Sequence, residues 1–279
     1  MNYGVTIFAS DGTWNVHELA VAAEQLGFDS FYLPEHTHIP TSRITPPPTG
    51  DAVLAEEYRR NADPLVALTA AAALTSTITL GTGVLLPAQR EPIVTAKAIA
   101  SLDQISNGRF VAGVGFGWNV DEMNHHGVEY RTRRAQAREH VLAMQQLWYH
   151  EEAEFHGEFV EFSPSWSWPK PAGRIPLLVG GGAGPKMFDH IAEYGDGWIP
   201  IGSAGIAAAL SQLRDAWDRR DRDFSTCRIV PFGVMPSHDK LDYLAANGVT
   251  EAVFRLPALK RDVAFATLES QAELIAQRR

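Results

Sequence analysis

Residues 175–194 read IPLLVGGGAGPKMFDHIAEY, and this stretch contains a complete strand–turn–helix unit. Its apolar run does not alternate with polar residues, which is typical of a strand buried on both faces and hence of a parallel sheet. The glycines that follow predict a tight turn, and Pro185 suits the first turn of a helix. The stretch therefore predicts a strand over 175–180 and a helix over 185–194.

The same alternation of patterns extends in both directions from this unit. Strands are predicted over 3–9, 30–34, 78–86, 109–115, 197–201, 228–235 and 249–256, and helices over 16–26, 64–75, 92–105, 132–149, 204–220, 240–247 and 263–277. A small hairpin insertion is predicted over 154–162, after the fourth unit, followed by an aromatic, proline-rich loop over 163–171. Eight β/α units favour a (β/α)8 TIM barrel over a doubly wound sheet, with a single domain over residues 1–279.

The charge balance and the cysteine count exclude several classes of protein. Lys and Arg number 24 and Asp and Glu 33, so the net charge of −9 argues against nucleic-acid or anionic-membrane partners. The uncharged stretch 64–89 carries six hydroxyl residues, which fits a buried helix and strand better than a membrane span. With one cysteine, Cys227, and no targeting pattern at the N-terminus, the sequence predicts a cytoplasmic protein without a disulfide.

Chemistry in a TIM barrel takes place at the carboxyl ends of the strands, so the residues there are candidate site residues. Four of the five residues 180–184 are glycine, which exceeds the need of a tight turn and favours phosphate binding by backbone N–H groups at a helix N-terminus. A dinucleotide-binding fingerprint is disfavoured, because the glycine spacing differs and no acidic residue lies within 197–213.

Residues 113–117 (GVGFG) form a strand end that is nearly bare of side chains. One interpretation is that a flat group lies across it, with Phe116 or Trp118 as a stacking wall. The other is a cramped rim where only glycine fits. The sequence favours neither.

The second strand is followed by Glu35-His36-Thr37-His38, for which three interpretations are open. These are a metal site, a proton-transfer or stacking role, and a solvated rim. The metal site is the least favoured, because a catalytic metal needs a third ligand and the adjacent His125 and His126 are expected to point in different directions. A single histidine acting as an acid or base beside a planar cofactor fits the location better, and no bound metal is expected.

Several short segments occur in the order in which one known family carries them, from the first helix to the sixth strand. They are LGFDS (26–30), EH (35–36), LGTGVLLP (80–87), residues 90–92, 98–110 and 113–119, Trp148, residues 180–185, and GDGW (195–198). Together they resemble the luciferase-like monooxygenase superfamily, and within it the branch that uses the deazaflavin coenzyme F420. The resemblance covers about two-thirds of the chain.

The resemblance implies positions for the cofactor. The segment matching Gly83–Val84 forms a bulge with a non-prolyl cis peptide under the central ring of the flavin or deazaflavin. Glu35 and His36 match residues at the ring edge, near the carbon that accepts hydride. Further matches lie along the ring and its side chain (Phe116, Asp121) or hold the phosphate (Gly181, Gly182, Ala183, Gly184). The sugar-phosphate dehydrogenase branch has an acidic residue at Trp118 and an indole at Pro40, so a sugar-phosphate substrate is disfavoured.

The leading hypothesis is an F420-dependent oxidoreductase that transfers hydride to or from an unidentified small organic substrate of the unsaturated or carbonyl type. His36 is the expected proton source, and Glu35 its electrostatic partner. The alternatives are an FMN-dependent monooxygenase supplied by a separate reductase, a non-catalytic flavin- or deazaflavin-binding protein, and, least favoured, a metal-dependent hydrolase.

Partners and surroundings of the site are also expected. The family resemblance implies a homodimer and a separate cofactor-reducing enzyme. Basic residues near the strand ends (Arg43, Lys186, Arg255) would favour F420, which carries an acidic tail. Lids over the site are expected from residues 37–58, which include Pro46-Pro47-Pro48, and from residues 151–171 with Trp166 and Trp168.

Overall fold

The computed structural model describes residues 1–13, 15–46 and 53–279, so Pro47, Pro48 and part of the expected lid over 37–58 lie outside the described residues. The strands are β1 (Asn2–Thr6), β2 (Ser30–Leu33), β3 (Thr79–Thr82), β4 (Phe110–Gly115), β5 (Ala153–His156), β6 (Glu161–Ser165), β7 (Leu177–Gly180), β8 (Gly197–Ile199), β9 (Arg228–Ile229), β10 (Phe232–Val234) and β11 (Glu251–Arg255). The helices are α1 (Val16–Gln25), α2 (Pro64–Leu74), α3 (Pro92–Ser106), α4 (Val120–His125), α5 (Arg133–Tyr149), α6 (Pro185–Tyr194), α7 (Ile206–Asp218), α8 (His238–Ala246) and α9 (Arg261–Ala276).

All strands except β5 and β6 form one parallel sheet, in the order β10-β11-β1-β2-β3-β4-β7-β8-β9. The first and last strands of that order, β10 and β9, are separated in the chain by only Val230 and Pro231, and a bridge joins Ile201 beyond β8 to Phe232. The sheet is therefore closed, and the predicted (β/α)8 barrel is confirmed. The predicted continuous strand over 228–235 is wrong, because Pro231 has no N–H to donate and the ladder is interrupted there.

The barrel has an inner layer of side chains facing its axis and an outer layer between strands and helices. The inner layer consists of Tyr32, Val111, Leu178, Ile199, Val230, Phe232 and Val253, with Val84 packed against it. At the amino end of the barrel, buried Glu251 accepts hydrogen bonds from Ser30 Oγ, from Tyr32 Oη at 3.4 Å and from Arg228 Nη2 at 3.0 Å. Side chains thus fill the interior of the barrel, and the carboxyl ends of the strands, opposite this network, remain for a functional site.

Local signals define the helix ends as the sequence predicts. The residue after α1's C-cap is Gly27 with φ 86°, and α3 ends at Asn107 in the left-handed region, followed by Gly108. Proline occupies the first turn of α2, α3 and α6. The predicted hairpin insertion is confirmed as antiparallel β5 and β6, between α5 and β7. Helix α4 is not predicted by the sequence.

Across the described residues, no helix is long and apolar enough to cross a membrane. The uncharged stretch 64–89 divides into α2, β3 and the connection that follows β3, as its hydroxyl residues suggest.

A carboxylate on α1 holds the turn that leads into β3. Glu24 Oε1 accepts from the backbone N–H groups of Ser76 at 2.8 Å, Thr77 at 2.5 Å and Ile78 at 2.9 Å. Burial alone would raise the pKa of Glu24, but these N–H donors outweigh it and lower the pKa to about 2. Because the pKa is lower in the folded than in the unfolded chain, the stabilisation is present above about pH 4.3 and is lost as the pH falls towards 2.

We expect Glu24→Gln to lower the free energy of unfolding at pH 7 by about 1–2 kcal/mol, because amide oxygens accept N–H bonds less strongly than carboxylates. The difference should shrink below about pH 4. Urea unfolding at pH 7 and pH 3.5 measures both values, with Glu269→Gln on the exposed face of α9 as the matched control. Equal stability of the wild type and Glu24→Gln at pH 7 would contradict the assignment.

Candidate active site

His36 lies beyond the carboxyl end of β2 and pairs with a carboxylate that the sequence did not single out. Its Nδ1 is 2.7 Å from Glu122 Oε2, and both side chains are buried. The second oxygen of Glu122 accepts from the backbone N–H of Thr37 at 3.2 Å. Among the described residues His36 Nε2 has no hydrogen-bond partner, so it is available to a bound molecule.

Glu122 is positioned by α4, whose first turn begins after Asn119. The side chain of Asn119 accepts from the N–H of Glu122 at 3.4 Å and caps the helix. An asparagine followed three residues later by glutamate is a recognised helix-start signal. This signal in residues 119–122 could have identified the helix, though not the partner of its carboxylate.

Glu35 is committed to a different set of contacts. Its carboxylate accepts from Leu86 N–H at 2.6 Å and from Arg90 Nε at 2.6 Å, and Arg90 also reaches Asp63 at 2.5 Å. Burial raises the pKa of Glu35, and the Arg90 guanidinium and the Leu86 N–H oppose that rise. The expectation that Glu35 is the electrostatic partner of His36 is therefore corrected: Glu35 anchors the connection after β3.

The peptide bond between Gly83 and Val84 is cis, as the family resemblance implies. The side chain of Val84 lies against Gly115 and Gly180, where an added Cβ would come within 2.5 Å and 2.7 Å of it. An added Cβ at Gly113 would stand 2.0 Å from the carbonyl oxygen of Thr82. Packing therefore accounts for the absence of side chains at the end of β4. We call the carboxyl ends of the strands the barrel mouth, and there the bulge at 83–84 closes the inner layer.

Three aromatic rings, Phe8, Tyr58 and Trp118, line one side of the mouth, and we call them the aromatic wall. The centroid of the His36 ring is 5.4 Å from that of Tyr58 and 5.6 Å from that of Trp118, and Tyr58 is 4.7 Å from Phe8. Trp118 thus stands next to His36, and its expected role as a stacking wall stays a prediction.

Phe116, the other expected stacking residue, is buried directly after the carboxyl end of β4. It is buried in the outer layer, 5.0 Å from the ring of His190 on α6, with the guanidinium of Arg134 4.9 Å above its ring. Its side chain thus packs against α5 and α6, and a stacking role for Phe116 stays a prediction.

Asp121 ties the loop after β2 to α4. Its Oδ2 accepts from the N–H of Ile44 at 3.0 Å and lies 3.5 Å from Thr45 Oγ1. In turn Thr45 Oγ1 accepts from the N–H of Val120 at 3.1 Å. The structure therefore gives Asp121 a role in holding this loop, and its expected place along the cofactor stays a prediction.

The glycine loop, residues 180–185, opens α6 at the mouth. Gly181 is fixed by its N–H, which donates to Ile199 at 3.1 Å, and by its carbonyl, which accepts from Trp198 Nε1 at 2.8 Å. Within the described part of the chain, the N–H groups of Gly182, Ala183 and Gly184 donate to no protein acceptor, and an added Cβ at Gly182 or Gly184 would meet nothing within 4 Å. Free N–H groups at the start of a ten-residue helix are suited to an anion.

A histidine cluster on the rim uses its ring nitrogens in hydrogen bonds. His38 Nε2 is 2.8 Å from His125 Nδ1, and Thr37 Oγ1 is 2.6 Å from His126 Nε2. In residues 1–13, 15–46 and 53–279 no three His, Cys, Asp or Glu side chains are arranged to hold a metal ion. The metal-site alternative for His36 and His38 thus receives no support.

The three basic residues expected near the strand ends differ in their surroundings. Arg255 pairs with Glu57 at 2.5 Å, Lys186 is exposed in the first turn of α6, and Arg43 is half-buried. Lys186 is the one that stands beside the glycine loop.

A closed barrel of eight β/α units, in which β9 and β10 share one position, with polar groups and an open glycine loop at one end, defines a TIM-barrel protein of the enzyme type. The particular family follows from comparison with known proteins. Residues 9–256 match the family described as luciferase-like monooxygenase, and the chain belongs to that family.

The relatives differ in how much is known of them. An uncharacterised protein of Mycobacterium tuberculosis is 46% identical over 280 residues, 99% of each chain. An F420-dependent glucose-6-phosphate dehydrogenase of Intrasporangium calvum is 32% identical over 204 residues, which cover 71% of this chain and 57% of that protein. Among solved structures, the monooxygenase RslO1 of Streptomyces bottropensis has a TM-score of 0.80 at 20% identity, covering 100% of this chain and 99% of that one, which shows a shared fold.

Proposed function

We propose that this protein is an oxidoreductase that transfers hydride between reduced coenzyme F420 and a small organic substrate. The observation that carries the proposal is the buried His36–Glu122 pair, whose free Nε2 stands at the same barrel mouth as the open glycine loop. The name of the Intrasporangium calvum relative supports F420 as the cofactor. Because Trp118 and Pro40 replace the residues of the sugar-phosphate branch, we propose a different substrate.

The residues at the mouth fit such a cofactor. The free N–H groups of residues 182–184 would hold its phosphate, the bulge at Gly83–Val84 would support its ring, and Trp118 would stand at the ring edge. When bound, the reduced deazaflavin supplies a hydride from the ring carbon that replaces flavin N5.

The protein's own contribution is orientation and a proton. Glu122 accepts at His36 Nδ1 and fixes the imidazole, so that Nε2 faces the bound substrate. As hydride reaches a substrate carbon, the electron pair of the reduced double bond moves to the atom that becomes negative. His36 Nε2 donates a proton to that atom and regains one from water.

Titration of the cofactor-free protein with F420 and with FMN tests the proposal. We expect saturable binding of F420 at micromolar concentration and weaker binding of FMN. Tight binding of FMN without binding of F420 would overturn it in favour of a flavin-dependent monooxygenase. Binding of F420 without turnover of any carbonyl or unsaturated compound would favour a cofactor-binding protein instead.

The glycine loop offers a sharper test of cofactor placement. Gly182→Asp should weaken F420 binding about tenfold to hundredfold, because the carboxylate would extend into open space beside the proposed phosphate position. Gly173→Asp is the matched control, since Gly173 is exposed with nothing within 4 Å of an added Cβ. Quenching of protein fluorescence measures both dissociation constants, and equal values would remove the phosphate from this loop.

We also propose a homodimer that forms through α2. This helix reads PLVALTAAAAL and is apolar on all sides. Its outer face, which includes Val66 and Leu74, is nevertheless exposed in the single chain. Helices that are apolar all round are buried in their functional state. Adjacent α3 adds exposed Ile93 and Val94, so a second copy of this self-complementary surface is the occupant we assign.

Light scattering on purified protein tests the dimer. We expect twice the chain mass of 30.6 kDa for the wild type and a single-chain mass for Val66→Asp, because the new charge would be buried without a partner. Val263→Asp on α9 should leave the mass unchanged. A wild type that stays at the single-chain mass at high concentration would contradict the proposal.

The proposed reaction requires a separate enzyme that returns the cofactor to its reduced form. We further propose a cytoplasmic location, since Cys227 is a free, buried cysteine and the chain has no other.

A further inference from the structure

The most exposed large apolar side chains lie mainly at the barrel mouth. Among the described residues, six large apolar side chains expose more than 70% of their surface: Ile44, Val53, Val66, Trp166, Ile201 and Met235. Four of these, Ile44, Val53, Ile201 and Met235, lie on segments that leave the carboxyl ends of β2, β8 and β10. Exposed apolar side chains grouped at one end of a barrel favour a binding surface there.

Alternation along β8 and β10 places Ile201 and Met235, just beyond the ends of these strands, on the interior side. Ile201 is two residues beyond Ile199 of the inner layer and continues β8 through its bridge to Phe232. In β10 the register shifts between Phe232 and Val234, which moves Val234 to the outer layer and returns Met235 towards the axis. The two side chains therefore extend the interior of the barrel upwards at its mouth.

These residues join the aromatic wall in one arc. In the closed sheet, β8, β9 with β10, β11, β1 and β2 are consecutive neighbours. The side chains beyond the carboxyl ends of these strands therefore form an arc. It begins at Ile201 and Met235, passes Arg255 and reaches Phe8 and Tyr58. His36 and Trp118 lie at the Tyr58 end of the arc, with their ring centroids 5.6 Å apart. The proton source proposed above thus borders an apolar surface.

The one cation of this arc among the described residues is already neutralised. Arg255 pairs with Glu57 at 2.5 Å and lies 5.7 Å above the ring of Phe8. A phosphate or carboxylate on the substrate would compete with Glu57 for it and would be surrounded by apolar groups, which is unfavourable. The arc therefore suits an uncharged molecule.

We infer that the substrate is an uncharged carbonyl compound with a hydrocarbon portion, and this inference rests on the proposed function; an enone serves as the probe. The planar conjugated carbonyl would lie against Trp118, with the hydrocarbon over Ile201 and Met235. Hydride adds to the β-carbon, the electron pair of the C=C bond shifts through the carbonyl to oxygen, and His36 protonates that oxygen. The enol then becomes the saturated ketone, and the reduced F420 is oxidised by two electrons.

The test uses (E)-3-alken-2-ones of five, eight and ten carbons as competitors of Nile red, an uncharged planar dye. We expect the affinity of the cofactor-loaded protein to rise with chain length, by up to about fourfold for each methylene buried. The ten-carbon enone with a terminal carboxylate should lose that gain. The double variant Ile201→Ser with Met235→Ser should bind the five-carbon enone as the wild type does, but its affinity should no longer rise with chain length. The control Val263→Ser on α9 should show the same rise as the wild type.

The outcomes separate this inference from the proposed function. Binding of F420 together with equal affinity for all three enones, or tighter binding of the carboxylate, would overturn the assignment of an uncharged, apolar substrate alone. A series that rises with chain length in a protein that does not bind F420 would support the apolar site and overturn the hydride-transfer proposal.

Discussion

His36→Ala should lower the turnover of the ten-carbon enone by about 10²–10⁴-fold while leaving the dissociation constant of F420 unchanged. The reason is that the variant loses the proposed proton donor, His36 Nε2, and keeps the glycine loop and the bulge at Gly83–Val84 that we assign to the cofactor. Stopped-flow measurement of cofactor oxidation separates the loss of turnover from the loss of binding.

Two further variants make this prediction specific. His38→Ala removes a neighbouring, exposed histidine that bonds to His125, and turnover should stay near that of the wild type. Glu122→Gln keeps a hydrogen-bond acceptor for His36 without its charge, so we expect a smaller loss of kcat and an altered pH profile of kcat, which a merely structural role would not produce. Full turnover by His36→Ala would remove the proposed proton source.

Glu251→Ala should lower the free energy of unfolding by about 3 kcal/mol, the largest effect on stability that we expect from a single substitution at the amino end of the barrel. Buried Glu251 accepts bonds from Ser30, Tyr32 and Arg228, and its removal leaves three donors without their acceptor. Arg228 is partly exposed, so water recovers part of the loss and the value falls at the lower end of the usual range.

Urea unfolding monitored by tryptophan fluorescence measures the effect, with Glu273→Ala on the exposed face of α9 as the control. Glu251→Gln should lose less, because the amide oxygen still accepts from one of the donors. The F420 dissociation constant of the folded variant should match that of the wild type, since stability and chemistry belong to opposite ends of a TIM barrel. Wild-type stability in Glu251→Ala would show that the network contributes nothing net.

The barrel could be predicted from the sequence because its signals are local. Apolar runs identify the strands, and residues such as Gly27, Asn107 and Pro185 mark where helices end or begin. The break at Pro231 was missed because residues 228–235 are apolar on both sides of it, although a proline within a central strand is itself a warning.

The candidate site was only partly predictable, because its contacts join distant parts of the chain. His36 was identified from its place after a strand, but its partner Glu122 is 86 residues away on a helix that the sequence did not predict. Phe116 follows Val114 by two residues, and both belong to the outer core cluster, as the alternation along a strand indicates. A run of glycines does not by itself distinguish a packing requirement from a binding site. Packing requires glycine at positions 113 and 115, where an added Cβ would clash, but it does not require glycine at positions 182 and 184.

Helix α4 is six residues long, and its first turn carries two adjacent acidic residues with separate duties. Asp121 holds the loop at Ile44 and Thr45, and Glu122 holds His36. Neighbours on one rigid turn move together, so a displacement of the loop by an incoming molecule is transmitted to the imidazole. Under the proposed function, substrate selection by this loop and proton delivery by His36 would be mechanically coupled, so that relatives that exchange this loop alone would change their rates along with their preferences.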